Sequence, residues 1–146
     1  AREGYELRDT NDRLRPVVVE TRRGFDQFQR IREALARVEL TDGFTFAQLV
    51  LEMAPRLPRD ATVVAILPRV PVETAVALGT LRRQGVAITA FLIGLDESEK
   101  LLGQGRLLAE AVRDIRTVNS EEELAHLGEN AAAPTAARYE VDVPLV

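Results

Sequence analysis

Two unbroken apolar runs, Thr62–Leu67 in "ATVVAIL" and Ala87–Ile93 in "VAITAFLIG", flank a helix-length segment, "VETAVALGTLRRQG". Continuous aliphatic runs of this length are the pattern of strands covered on both faces. A strand, a helix and a second strand in short succession predict parallel pairing. Gly85 is placed to cap the intervening helix at its C-terminus. Downstream, "EKLLGQGRLLAEAVRD" reads as a helix interrupted near Gly103 and Gly105, "IRTVN" as a short strand, and "SEEELAHLGEN" as a short helix. Ser120 stands at the N-cap position of that last helix, with Glu123 three residues on as a capping box.

Upstream, Phe25, Phe28, Ile31, Leu35 and Val38 recur at steps of three and four, one face of an amphipathic helix. "TDGFTFAQLVLEMAPRL" opens on a turn and then runs helically through Phe46, Leu49, Val50 and Met53 until Pro55 interrupts it. Before these, Tyr5 and Leu7, a turn signal at Asn11-Asp12, and Val17–Val19 predict a hairpin-like pair of strands. The end of the chain alternates: Tyr139, Val141, Val143 and Leu145 against Arg138, Glu140 and Asp142. That is a half-buried strand, pairing within its own chain or with a second copy, or else a frayed terminus.

This order of elements predicts an α/β fold, a three-layer sandwich with a mainly parallel, Rossmann-like sheet. Residues 1–130 form its domain, incomplete at the N-terminus if a strand precedes it, and 131–146 a linker and strand-like tail. A charge inside either apolar run, such as Val64→Asp, is expected to unfold it.

Composition narrows the function classes. The 146 residues are 46% hydrophobic and 29% charged with a net charge of −4, an ordinary globular balance without an acidic tail. Basic residues are scattered, Trp is absent, and two Tyr and five Phe offer little stacking surface, which disfavours nucleic-acid binding. No cysteine is present, so disulfides, thiolate catalysis and cysteine-held metal are excluded. No apolar run reaches the roughly 18 residues that suggest a membrane span. The first residue is Ala1 and not Met, as expected of a piece of a longer polypeptide.

The segments "RRGFDQFQRIREALARVEL", "TDGFTFAQLVLEM", "RLPRDATVVAIL" and "LRRQGVAITAFLIG" together resemble the von Willebrand factor A-like region of the bacterial DUF58 family, over residues 21–128. The resemblance implies a doubly wound sheet, a protein-binding role and, commonly, a MoxR-type AAA+ ATPase as partner. It implies a cytoplasmic domain whose parent is often anchored to a membrane by a segment outside this region.

Many such domains carry a metal-ion-dependent adhesion site. It is built from an Asp-x-Ser-x-Ser motif, a Thr from a later loop and an Asp after the next core strand. Oxygen ligands in this number are what a hard divalent cation requires. Here Asp-x-Ser-x-Ser is absent. Thr45 in "GFTFA" matches the Thr, with Phe46 where an acidic residue often follows. Pro68 in "AILPRV" takes the place of the late Asp, and Arg69 beside it would repel a cation. Ligands upstream of Ala1 could be missing by truncation, but Pro68 lies within the chain. The resemblance therefore implies a degenerate site with no metal and no other cofactor.

The candidate partner-binding residues are Thr45 and Arg69. Thr45 is either a surviving ligand or a helix N-cap. Pro68-Arg69-Val70-Pro71 is either a rigid binding loop at the carboxyl edge of the sheet or a stiff connector into a helix. His126, the one histidine, has no Ser, Cys or metal constellation near it in sequence and reads as a helix residue. Gly103-x-Gly105 lacks the third glycine of a dinucleotide fingerprint.

Arg22-Arg23 and Arg82-Arg83 read as exposed faces. The leading function is a non-enzymatic protein-interaction domain. The alternative is a small-molecule-binding or hydrolytic Rossmann-like enzyme, for which Pro68, Gly94 and Asn119 at the strand ends are poor acid–base material. A third role is assembly, as a homodimer through the tail or an open sheet edge.

Overall fold

The computed structural model describes residues 15–39 and 42–131. The chain divides into two compact units, Ala1–Arg56 and Leu57–Val146.

In the first unit, helix α1 spans Phe25–Ala36 and helix α2 spans Phe46–Met53, with a 3-10 turn at Ala54–Arg56 where Pro55 ends the α-helical ladder. The apolar stripe of α1 is there as its periodicity predicts, but it is exposed: Phe25, Phe28, Ile31 and Leu35 all face solvent. Phe25 and Phe28 lean on one another with ring centroids 6.2 Å apart, and the Arg32 guanidinium lies 5.7 Å from the Phe28 ring centre.

The strand expected at Val17–Val19 is not formed; residues 16–23 carry no regular secondary structure. A β-branched run needs a ladder partner to become a strand, and none is present among the described residues. Tyr5, Leu7, the Asn11-Asp12 turn and the tail Tyr139–Leu145 lie outside the described residues.

The second unit is a βαβαβα succession. Strands β1 (Thr62–Leu67), β2 (Ala87–Ile93) and β3 (Asp114–Val118) pair in parallel in the order β1-β2-β3. Helices α3 (Val72–Arg83) and α4 (Glu97–Ala109) make the crossovers, and α5 (Glu121–Ala131) follows β3. The parallel α/β architecture and the bounds of β1 and β2 match the reading of the apolar runs, but among the described residues β1 stands at the edge of the sheet and only β2 at its centre. Register places Ala65 beside Ala90 and Leu67 beside Leu92 on one sheet face. All four are buried. Against that face stand Ala75, Leu78 and Leu81 of α3 and Leu107 of α4; the two helices pack on each other.

The opposite face corrects the expectation of strands covered on both sides. Val64 is 57% exposed and Ile66 62%. Next to them lie the half-exposed Phe91, with the Arg116 guanidinium 5.9 Å from its ring centre, and the Thr89 hydroxyl, which donates to Asp114 Oδ2 at 2.7 Å. Within the second unit the crossover helices α3 and α4 thus cover one face of the sheet. Valine and isoleucine favour the extended backbone whether or not they are buried, so an unbroken apolar run does not by itself report two covered faces.

Both crossover helices end alike. After α3, Gly85 at φ 91° donates its N–H to Arg82 O, and Val86 N–H donates to Leu81 O. This pair of hydrogen bonds is the left-handed helix stop that the sequence predicts at Gly85. After α4 the same pair of bonds recurs, Ala111 N–H to Leu108 O and Val112 N–H to Leu107 O, with Ala111 at φ 63°. In each case the next residue, Val86 or Val112, is buried and starts the path into the following strand. Helix α4 itself is continuous through Gly103 and Gly105, where the sequence predicts an interruption. Glycine weakens a helix by about 1 kcal/mol per residue but does not break one that is packed.

Candidate functional site

In open α/β sheets the loops at the carboxyl ends of the strands carry the ligands. The loop leaving β1 is Pro68-Arg69-Val70-Pro71. Val70 is buried, and its carbonyl accepts from Arg106 Nη1 at 2.8 Å, so α4 pins this loop from the side. Pro71, at φ −59°, is the N-cap of α3, and Ala75 N–H donates to its carbonyl. The loop is therefore a stiff connector, as one of the two sequence readings holds. It also holds Arg69 in the open next to a bound and buried neighbour, which is what the other reading requires. Among the described residues Arg69 makes no hydrogen bond or ion pair.

Beside the loop lies a cleft of about 260 Å³. Arg69, Val70 and Pro71 form one wall. The other wall is Leu95, after β2, with Glu99, Leu102, Gly103 and Arg106 of α4. The spacing of the α4 residues, at steps of three and four, puts them on one helical face. Gly103 lets α4 lie close to the loop: a Cβ there would sit 3.0 Å from Val70 Cγ2, a contact to which the Val70 side chain would have to give way, and 3.7 Å from Leu92 Cδ1. The entry to α4 is fixed by a reciprocal cap. Glu99 N–H donates to Asp96 Oδ1 at 2.8 Å, and Asp96 N–H reaches Glu99 Oε2 at 3.4 Å.

Thr45 belongs to the first unit and caps α2. Its Oγ1 accepts from Gln48 N–H at 3.2 Å while its own N–H donates to Gln48 Oε1 at 2.9 Å. The two candidate residues thus lie in separate units. At the end of β1, Pro68 offers no side-chain oxygen and Arg69 is cationic.

His126 is exposed on α5, as a helix residue. At the start of that helix Ser120 Oγ accepts from Glu123 N–H at 3.2 Å, while Glu123 Oε2 accepts from Asn119 N–H at 2.7 Å, one residue before the donor expected of a capping box. Of the arginine pairs, Arg22 meets Glu20 at 3.4 Å and Arg83 meets Glu110 at 2.9 Å.

A second, wider cleft of about 440 Å³ opens at the amino ends of the strands, between Arg82, Arg113 and Asp114. It lies opposite the edge at which parallel sheets bind. Sequence reading singles out Arg69 but misses Arg106, Glu99 and Leu102. Their common helical face is the signal, hidden when α4 is read as broken at its glycines. No family model matches the chain, and no curated protein or solved structure does either.

Proposed function

We propose that the chain is a non-enzymatic protein-interaction domain of the von Willebrand A-like, DUF58 kind with a degenerate metal-ion-dependent adhesion site. The observation that carries this reading is the end of β1, where the stiff Pro68–Pro71 loop presents an unpaired guanidinium at Arg69. A cationic edge on a pinned loop favours docking of an acidic surface, because little loop freedom is lost on binding. By resemblance the partner is a protein such as a MoxR-type AAA+ ATPase, met in the cytoplasm. An open sheet edge offers a homodimer as a second mode of assembly; β1 and β3 are both edge strands among the described residues.

Calorimetric titration with Mg²⁺, Mn²⁺ and Ca²⁺ tests the degenerate site. No heat beyond dilution is expected at millimolar metal. Thr45→Ala is expected to cost about 1 kcal/mol of stability through its lost cap, with no effect on any metal titration. Micromolar metal affinity that disappears in Thr45→Ala would overturn the reading.

A further inference from the structure

The cleft at the carboxyl edge combines two features that point to one kind of ligand. Its charged groups are Arg69, Arg106 and Glu99, two cations and one anion, leaving one positive charge in excess. Its remaining walls, Val70, Pro71, Leu95 and Leu102, are apolar. Arg106 spends one N–H on the Val70 carbonyl, which fixes the guanidinium and leaves the rest of its donors for a ligand.

We infer that this cleft captures a single carboxylate, an aspartate or glutamate side chain of a partner protein, together with an adjacent apolar side chain. The inference rests on the reading of this edge as a protein-docking site. A monoanion balances the surplus charge. A phosphate dianion would leave a negative charge uncompensated beside Glu99, which disfavours it. A guanidinium pair suits a carboxylate because its planar donors meet both oxygens at once. The apolar walls contribute by removing a neighbouring hydrophobic side chain from water, and they exclude water around the ion pair, which strengthens it.

The probes are three blocked pentapeptides, acetyl-Gly-Leu-X-Leu-Gly-amide, with X as aspartate, asparagine or phosphoserine. Each is titrated into the isotope-labelled 146-residue chain and followed by backbone amide shifts. The aspartate peptide is expected to move the amides of Val70, Leu95, Gly103 and Arg106. The asparagine peptide should bind about tenfold more weakly, the usual gap between a charge-assisted and a neutral contact. Arg69→Gln and Arg106→Lys should each weaken the aspartate peptide by a similar factor. Arg69 is exposed and unpaired, so Arg69→Gln tests the ligand contact without threatening the fold.

Equal binding of the aspartate and asparagine peptides would overturn the inference. So would tighter binding of the phosphoserine peptide, or shifts confined to other amides. A photo-crosslinker in place of Leu102, which is exposed in the same cleft and leaves both arginines intact, separates this failure from failure of the underlying reading. A crosslinked protein in cells, with no discrimination among the peptides, refutes carboxylate capture and keeps the docking edge. No crosslink and no peptide shift refutes both.

Discussion

Leu92→Asp is expected to abolish folding of the Leu57–Val146 unit, while Val64→Asp, on the neighbouring strand, is expected to leave it folded. Leu92 is fully buried at the centre of the sheet face under the helices, in register with Leu67 and Thr117. A carboxylate there has no partner and costs several kcal/mol. That is most of the roughly 5–15 kcal/mol by which a domain is stable. Val64 occupies the opposite face and is 57% exposed, so a carboxylate at that position stays hydrated. The remaining cost is the poor strand propensity of aspartate, about 1 kcal/mol. Far-ultraviolet circular dichroism and urea melts of the two variants check the contrast. Equal collapse of both would mean that a second layer covers Val64 after all.

The next largest effect is expected from Gly103→Val, a loss of about 3 kcal/mol by overpacking. The first added carbon already meets the Val70 side chain at 3.0 and 3.3 Å, and two methyls follow it. Relief requires the buried Val70 side chain to shift or α4 to move off the Pro68–Pro71 loop, which strains the hydrogen bond from Arg106 to Val70 O. Two residues on, a methyl group added at Gly105 would meet nothing within 4 Å, so Gly105→Ala should stabilise by about 0.5–1 kcal/mol through helix propensity alone. Opposite signs at these two glycines in a denaturant series identify one as a packing residue and the other as a tolerated one. Equal gains would mean that α4 does not press on the loop.

These two pairs of substitutions also mark where sequence reading works and where it stops. The βαβαβα order, the strands β1 and β2 and the helix stop at Gly85 are local matters of hydrophobic run length and backbone geometry, and they are visible in the sequence. Which side of a strand is buried is not local. Thr62–Leu67 is apolar at nearly every position, and only register and the placement of α3 and α4 distinguish Leu67 from Ile66. The same holds for the glycines of α4: their composition suggests a break, but tertiary contact with Val70 explains one of them. Arg69 is legible as a candidate because a charge directly after an apolar strand stands out. Arg106 comes to the same cleft from 37 residues further along the chain, and no pattern of spacing pairs it with Arg69.

The central claim is that the carboxyl edge around Arg69 docks a protein, and site-specific photo-crosslinking in cells tests it most directly. A crosslinking residue is placed at position 102 in the cleft beside Arg69, at position 82 on the cleft at the amino ends of the strands, and at position 116 on the open sheet face. The account predicts a defined protein adduct from position 102 that positions 82 and 116 do not give. It also predicts that the adduct weakens when Arg106→Lys is added. Adducts from position 82 or 116 in the absence of one from position 102 would contradict it.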